Sequence, residues 1–379
     1  MSFEEFAPYL WISEVWFSPL LLRSTKMKRL QGQWSHVLSR ITNLVLFNVE
    51  SGLQGPKLAL SIHGEHFNLF AKLRFVMTDG DGFAQGLSWK GASSLKPCLV
   101  CWNVQMLTRD SEPPHVCVNA VKGFLRSTDA GTFGVVDELL VCRRRVENKM
   151  MTKTRFELLE KQAGFRAEPL SFLANTALRP HYSFPGLVFW DWFHIFLQDG
   201  ILNVELGAFL TACKAFKVAE AAVGQIISWS IAMQWQFPSQ SEKTISDLPS
   251  LIKEMCQGKT DITIRCGASQ LLTAFPVLRH YIDTEILPDE RLSVHRASLR
   301  LAFDMVSALH ECKHGVRTKE SLADSLSVLW PRWLKGYKRC YQDTYVKPTF
   351  HWASHLPRQF LELFADMLVV ERMNKRAKN

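Results

Sequence analysis

The sequence predicts an α/β segment near the N-terminus followed by a long, mostly helical body. Short apolar runs separated by polar turns occupy residues 58–77, as expected of strands. From residue 103 onward, apolar side chains recur every three or four positions, which is the period of an α-helix. The chain has 379 residues, 47% of them hydrophobic and 21% charged, so it can bury a sizeable core. We therefore expect a folded, helix-dominated protein.

The N-terminal part contains one helix and two extended runs by this pattern. Residues 27–47 place apolar side chains on one helical face. Residues 58–62 predict a strand and residues 67–77 a second extended or mixed run, with a polar turn between them. The second run ends in Thr78-Asp79-Gly80-Asp81-Gly82, which predicts a glycine-rich turn at the tip of an apolar segment.

The helical prediction covers residues 103–341 and resumes near the C-terminus. Polar interruptions fall at residues 109–114, 238–249 and 287–290. No internal repeat at a fixed period and no low-complexity tract is present, so a solenoid is not expected. The clearest periodic stretches are residues 209–229, 299–310, 322–337 and 359–376.

Net charge and cysteine content indicate which classes of protein are compatible with the sequence. Lys plus Arg number 45 against 36 Asp plus Glu, a formal charge of +9 that permits a polyanionic partner. Nine cysteines without a basic signal-like N-terminus argue against a secreted disulfide framework. No apolar run reaches the roughly 18 residues of a membrane span, so we expect a soluble intracellular protein without a membrane partner.

Asp79 and Asp81 are the first candidate site residues. Two short carboxylates in a glycine-rich turn at a strand end can ligate Mg²⁺, because hard cations prefer oxygen ligands. Asp and Gly are also common turn residues, so an ordinary polar turn is the alternative interpretation.

The Cys98-Leu99-Val100-Cys101 segment can form one half of a tetrahedral zinc site, because a two-residue gap lets both thiolates face one ion. Two completions are open from spacing. The nearby one uses His115 and Cys117. The distant one uses His351 and His355, four residues apart and hence on one side of a helical turn.

An acid and a histidine stand three residues apart, as Asp191 and His194, in a dense aromatic run. Burying them requires a hydrogen bond or a shifted pKa. A satisfied pair that orders a helix start is favoured over a catalytic pair. Glu371 lies on the apolar face of the last predicted helix, where nothing local distinguishes it from a surface acid.

The order of these residues resembles the catalytic region of CACTA (En/Spm-like) DNA transposases, which belong to the DDE class. In that family the second catalytic Asp lies 19 positions before the first Cys of a CxxC, as Asp79 does before Cys98. A Lys-Gly pair follows the Asp by twelve positions, and Gly91 matches it.

The later motifs follow in the family's order. The family's Asp-aromatic-Met-His segment is approximated by Asp191 to His194, with Phe193 in place of Met. Its FHxxxHLP element is close to residues 350–357, and its catalytic Glu is matched by Glu371. The same order is similar to that of the V(D)J recombinase and its transposon relatives.

The resemblance implies an α/β RNase H-like core interrupted by a large, mostly α-helical insertion. The first part of the core is expected at residues 1–102, the insertion at 103–340 and the return segment at 341–379. It further implies cut-and-paste cleavage and joining of DNA by Mg²⁺ or Mn²⁺, in the nucleus, at transposon ends and with a homo-oligomer as a further partner. The implied Mg²⁺ ligands are Asp79 and Glu371, and the implied structural zinc ligands are Cys98, Cys101, His351 and His355.

One departure from the family concerns the first catalytic Asp, which has no match before Asp79. The family's first Asp bridges two metal ions, so its loss is expected to impair cleavage unless Asp81 substitutes. A non-catalytic, zinc-stabilised DNA- or protein-binding module is therefore the alternative function. The distant histidines are preferred as zinc ligands because an ion can fasten a loop of roughly 250 residues, the closure entropy growing only logarithmically.

Basic clusters are the candidate DNA contacts, because neutralised phosphates supply most of the affinity of such surfaces. Each cluster also has the composition of a solvated helix face. The residues are Arg143, Arg144, Arg145 and Lys149 in one cluster and Arg372, Lys375 and Arg376 in the other.

Overall fold

The computed structural model describes eleven stretches of the chain. All structural statements below concern these residues, and the predictions made for residues 238–249 and for Glu371, Arg372, Lys375 and Arg376 lie outside them. The stretches are residues 33–43, 57–62, 65–70, 73, 75–92, 94–109, 112–116, 123–216, 267–286, 289–343 and 346–365.

The described residues form two compact units, divided between Phe189 and Trp190. The first contains the described residues from 33 to 189, with three two-stranded sheets and several helices. The second contains those from 190 to 365 and is helical. A helix-dominated fold is thereby confirmed.

The first unit opens with helix α1 (Gln33–Ile41) and a β-hairpin. The hairpin pairs β1 (Lys57–Ile62) with β2 (Glu65–Phe70) in antiparallel register, with Lys57 opposite Phe70 and Ile62 opposite Glu65. The predicted strand at residues 58–62 is therefore confirmed. The predicted run at 67–77 is divided between β2 and a three-residue strand, β3 (Val76–Thr78).

Residues 79–82 form the N-cap and first turn of a helix, so the prediction of a glycine-rich turn is wrong. Asp79 is the N-cap of α2 (Gly80–Gly86), and its Oδ1 accepts the backbone N–H of Gly82 at 2.7 Å. Gly82 is required here because a Cβ would lie 1.7 Å from Thr78 Oγ1. The same Asp-Gly chemistry serves helix caps and turns, which explains the error.

The polar interruption predicted at residues 109–114 is a second β-hairpin. Strand β4 (Met106–Arg109) pairs antiparallel with β5 (Glu112–Val116), and an irregularity in register falls between Leu107 and Arg109. Two prolines in β5 obscured the strand in the sequence, because proline interrupts most regular elements.

A helical hairpin follows, made of α3 (Asp129–Glu147) and α4 (Lys153–Ala163). The side chains of Thr128 and Thr152 cap the two N-termini, and Gly164 ends α4 in the left-handed conformation at φ 80°. A 3₁₀ turn (Arg179–His181), the short helix α5 (Phe184–Leu187) and strand β6 (Val188–Trp190), which pairs with β3, complete this part of the chain.

The second unit is built around two long helices, α9 (Ser293–Lys313) and α10 (Lys319–Tyr341), which pack against each other. They contain the predicted periodic stretches 299–310 and 322–337, which are confirmed as helices. Apolar side chains of the two helices, such as Leu299, Phe303 and Trp333, are buried. The remaining helices are α6 (Trp192–Leu197), α7 (Ile201–Ala215), α8 (Ala268–Thr284), α11 (Pro348–Trp352) and α12 (Leu356–Glu362), with 3₁₀ turns at Glu290–Leu292 and Ala353–His355.

The helix predicted over residues 359–376 is interrupted in its described part, which ends at residue 365. Helix α12 stops at Glu362, and Leu363 is extended at φ −152° and ψ 140°. Of the helix predicted over 209–229, α7 contains the residues up to Ala215.

One apolar stretch, Trp192–Cys213, is long and apolar enough to cross a membrane by length and composition. However, 72% of its most apolar window is buried inside the protein, as in the core helices of globular proteins.

Candidate metal centre

The CxxC segment is a buried loop that neighbouring backbone holds in place. Cys98 and Cys101 are both fully buried. The carbonyl of Val100 accepts the N–H of Ser127 at 2.7 Å, and the N–H of Trp102 donates to Leu125 at 2.8 Å. These bonds fix the ends of the loop, so the two thiols are ordered by the fold before any ligand binds.

Inside the loop, the backbone N–H of Val100 donates to Cys98 Sγ at 3.4 Å. Hydrogen bonds to sulfur favour the thiolate, which is the form that binds metal. This contact follows from the two-residue gap, since the amide two positions after a cysteine faces that cysteine's sulfur in a tight turn.

The HxxxH segment lies on two successive helical turns. His351 is in α11 and His355 ends the following 3₁₀ turn, with exposed fractions of 0% and 7%. Trp352 stacks on Trp190 with ring centroids 4.3 Å apart, and Trp330 Nε1 donates to the carbonyl of Phe350 at 2.8 Å. Aromatic packing therefore fixes the turn that carries both imidazoles.

These four side chains form one buried cluster in which all the candidate ligand atoms lie within 4.8 Å of one another. The Nε2 atoms of His351 and His355 are 3.2 Å apart, and the two rings are nearly perpendicular. In the described stretches, no other group of three or more Cys, His, Asp or Glu side chains is close enough to hold a metal ion. Sequence reasoning had preferred this quartet.

The nearby alternative for completing the site involved His115 and Cys117. His115 lies in β5, and Cys117 lies outside the described residues. The geometry that is described thus concerns the distant pair of histidines.

Electrostatics at the cluster are dominated by burial and by the thiols themselves. A hydrogen bond with Cys98 and burial raise the pKa of the Cys101 thiol far above its ordinary value. Burial lowers the pKa of Lys96 to about 8, although both cysteines act in the opposite direction. Lys96 Nζ lies 3.4 Å from the centroid of the Trp102 ring, a cation–π contact beside the cluster.

The donor set fits zinc. Tetrahedral zinc with Zn–S distances of about 2.3 Å and Zn–N distances of about 2.0 Å requires ligand separations of roughly 3.3–3.8 Å. The observed 3.2 Å between imidazole nitrogens is close to this range, and all four candidate ligand atoms lie within 4.8 Å of one another. A buried Cys2His2 cluster of this kind can hold a metal ion such as zinc.

Asp79, the predicted Mg²⁺ ligand that the structure describes, belongs to no such cluster among the described residues. Asp79 is half-buried and uses one carboxylate oxygen as a helix cap, whereas Asp81 is exposed in the first turn of α2. Glu371 lies outside the described residues. The described side chains therefore give no support to a Mg²⁺ site.

Asp191, which is buried, and His194, which is half-buried, form a pair at a helix start. Asp191 caps α6, accepting the backbone N–H groups of Phe193 and His194 at 3.3 Å each, and its carboxylate also contacts His194 Nδ1. This is the ordering pair that the sequence favoured over a catalytic pair.

The predicted basic cluster at residues 143–149 divides into engaged and exposed side chains. Arg143 Nη1 donates to the carbonyl of Ala167 at 2.6 Å, and Arg143 Nε pairs with Glu147 at 3.2 Å, so this guanidinium is part of the fold. Arg144, Arg145 and Lys149 are exposed.

Sequence reasoning missed Glu205, a fully buried acid in α7. Trp333 Nε1 donates to its Oε2 at 3.1 Å, and burial raises its pKa to about 8. The only sequence signal is an acid inside the apolar run Ile201 to Leu210. A helical acid of this kind is normally assigned to a polar face.

Comparison with known proteins adds no relative: no family model matches the chain, and no curated protein or solved structure matches it.

Proposed function

We propose that this chain is a zinc-stabilised DNA-binding module derived from a CACTA-type transposase. The buried Cys2His2 cluster carries the proposal, because it consists of the CxxC and HxxxH motifs on which the resemblance depends. Four protein ligands complete tetrahedral coordination and leave no open position, so zinc at this site is structural. Its contribution is to stabilise two segments that are far apart in the sequence.

An RNase H-like core interrupted by a helical insertion is the finer fold assignment within this proposal. Asp79 directly follows β3, as metal-binding acids follow strands in α/β folds. Helices predominate among the described residues from Asp129 to Tyr341, which agrees with a helical insertion. On this proposal the partner is DNA, with transposon ends as the specific target, a homo-oligomer as the assembly and the nucleus as the location.

The tip of the α3–α4 hairpin is the best-supported DNA surface. Its acids are engaged, since Glu147 pairs with Arg143 and Glu157 lies 3.7 Å from Lys153. The exposed cations at the tip without an ion pair among the described residues are Arg144, Arg145, Lys149 and Arg155. Such a surface neutralises phosphates without reading sequence.

Zinc content tests the first half of the proposal. Elemental analysis of the purified chain should find one equivalent of zinc, and Cys98→Ser should lose it. Cys213→Ser is the matched control, because this cysteine is also buried but lies outside the cluster. A chain purified without zinc that also fails to take up added zinc would contradict the structural role.

DNA affinity as a function of salt concentration tests the second half. The affinity for a duplex should fall steeply with salt, and the Arg144→Ala/Arg145→Ala double variant should reduce the slope by about 2. Arg291→Ala is the control, because this exposed arginine pairs with Asp289 at 2.6 Å. An unchanged slope in the double variant would exclude the hairpin as the DNA surface.

Metal-dependent cleavage is the second candidate function, and the position of Asp79 after β3 favours it. Nicking of terminal-repeat DNA with Mg²⁺ or Mn²⁺ should then disappear in Asp79→Asn, which can still cap α2. Retained DNA binding without any nicking would leave the binding module as the function.

A further inference from the structure

The last turn of α9 and the C-cap residue that follows it carry a second HxxxH pair, His310 and His314. Four residues apart on a helix, the two side chains lie on one face. Their Nε2 atoms are 3.1 Å apart, and the ring centroids are 4.4 Å apart. The helix therefore directs two imidazole nitrogens to a common point.

The spacing of these nitrogens fits one bound cation. With metal–nitrogen distances of about 2.0–2.1 Å, a separation of 3.1 Å corresponds to a nitrogen–metal–nitrogen angle of about 100°. This angle lies between the values of octahedral and tetrahedral coordination. The buried pair of the Cys2His2 cluster has nearly the same separation, 3.2 Å.

We propose that His310 and His314 form a second metal site, which binds a late first-row divalent cation through two imidazoles. The remaining coordination positions are open to water. Imidazole suits Zn²⁺, Cu²⁺ and Ni²⁺, whereas Mg²⁺ and Ca²⁺ require oxygen ligands. This site is independent of the proposed DNA-binding function.

The side chains between and beside the two histidines make other contacts or face another side of the helix, so the imidazoles are the metal-ligand donors of this site. Glu311 is held by Arg317 through contacts of 2.8 and 2.9 Å. Lys313 extends its Nζ over the Trp192 ring, 5.8 Å from the centroid. Cys312 is two positions from either histidine and so faces another side of the helix.

One histidine of the site is accessible to solvent, and the helix end that carries both is held by packing and hydrogen bonds. His314 is exposed, and His310 is half-buried against Phe275 of α8, with ring centroids 6.3 Å apart. The helix end is closed by a hydrogen bond from the Val316 N–H to the Glu311 carbonyl at 2.9 Å and by Gly315 at φ 72°. A bound cation would join the last two turns across this closure.

Nickel titration of the full chain tests the proposal. The protein is first loaded with one equivalent of zinc, freed of excess metal and titrated with Ni²⁺ in a calorimeter. We expect one saturable site whose affinity falls at least tenfold in His310→Ala and in His314→Ala. His280→Ala is the control, because this exposed helical histidine of α8 has Pro276 and Thr284 at the positions four residues away.

Hydrogen exchange gives a readout that does not depend on calorimetry. At a Ni²⁺ concentration 100 times the dissociation constant, exchange of the Gly315 and Val316 amides through local opening should slow by about 100-fold. The slowing should be absent in His314→Ala, whose circular dichroism without metal should match that of the native chain. Nickel binding that persists in both histidine variants, or that produces thiolate charge-transfer absorption, would overturn the proposal.

Discussion

The described part of the molecule contains two HxxxH pairs whose imidazole nitrogens are almost equally spaced, at 3.2 and 3.1 Å, but whose surroundings differ. His351 and His355 are buried and lie beside two buried thiols. His310 and His314 stand at the end of a helix, one half-buried and the other exposed. Sequence spacing alone makes the two pairs equivalent.

The difference teaches that burial and co-ligands, more than spacing, determine what a histidine pair contributes. Thiolates added to two imidazoles close the coordination sphere, and the binding energy of the metal becomes folding energy. At the exposed pair, most coordination positions of a bound ion would remain with water, and backbone hydrogen bonds close the helix end without an ion. We therefore expect a large structural effect at one pair and a ligand-dependent effect at the other.

The largest expected difference is in the free energy of unfolding when one imidazole is removed from the buried pair or from the exposed pair. His351→Ala should lose zinc and lower the free energy of unfolding by at least about 3 kcal/mol, a fraction of the roughly 10–16 kcal/mol with which structural zinc binds zinc-finger peptides. His314→Ala should change it by less than about 0.5 kcal/mol without added metal, as is usual for surface substitutions. Urea unfolding of zinc-loaded protein measures both values. Equal effects would show that burial does not distinguish the pairs.

Glu205 is a buried acid that accepts a hydrogen bond from a neutral side chain, that of Trp333. Its pKa of about 8 lies above the ordinary 4.5, so between these pH values the folded chain retains a proton that the unfolded chain has lost. The free energy of unfolding should therefore fall as pH rises through this interval, by up to about 1.4 kcal/mol per pH unit.

Glu205→Gln should remove this pH dependence and be the more stable protein near pH 8 by a few kcal/mol. Glutamine retains an oxygen that can accept the hydrogen bond of Trp333. Urea unfolding between pH 5.5 and pH 8 measures the difference, with the exposed Glu290→Gln as control. A parallel decline of the native chain and Glu205→Gln would show that the carboxyl is already ionised in the folded state.

Asp191 and Asp79, the two acids that cap helices, should differ less in how much their replacement lowers the free energy of unfolding. Asp191 is 2% exposed and accepts two backbone N–H groups, whereas Asp79 is half-buried and accepts one. Asp191→Ala should cost about 2 kcal/mol or more and Asp79→Ala about 1 kcal/mol. Thermal unfolding measures both, and Asp79→Asn should stay near the native value because asparagine also caps helices. A larger loss at Asp79 would be inconsistent with a role limited to capping.

The Cys2His2 cluster and the two long helices could be predicted from the sequence because their signals are spacing and period. The CxxC and HxxxH motifs are read directly, and the resemblance joined them across the chain. Helices α9 and α10 repeat apolar positions over several turns, so local pattern and tertiary packing agree.

The sequence-based predictions were wrong where one residue type occurs in two kinds of local structure. They were incomplete where a residue's contact lies far away in the sequence. Asp79 with its glycines fits both a turn and a cap, and the prolines of β5 disguised a strand. Leu363 ends α12 within a stretch whose apolar period continues. Glu205 is explained by Trp333, more than 100 residues later in the chain, and no local pattern shows that contact.

Gly200 has a consequence for the apolar stretch that contains α6 and α7. A Cβ at this position would lie 2.0 Å from the carbonyl oxygen of Ile195, and the preceding Asp199 has φ 52°, so the chain bends here. The bend divides the stretch into rods of six and 15 residues, about 9 and 22 Å long at 1.5 Å per residue. Each rod is shorter than the roughly 30 Å thickness of a bilayer's hydrocarbon layer. Because Gly200 permits this bend, neither helix of the apolar stretch is long enough by itself to span a bilayer.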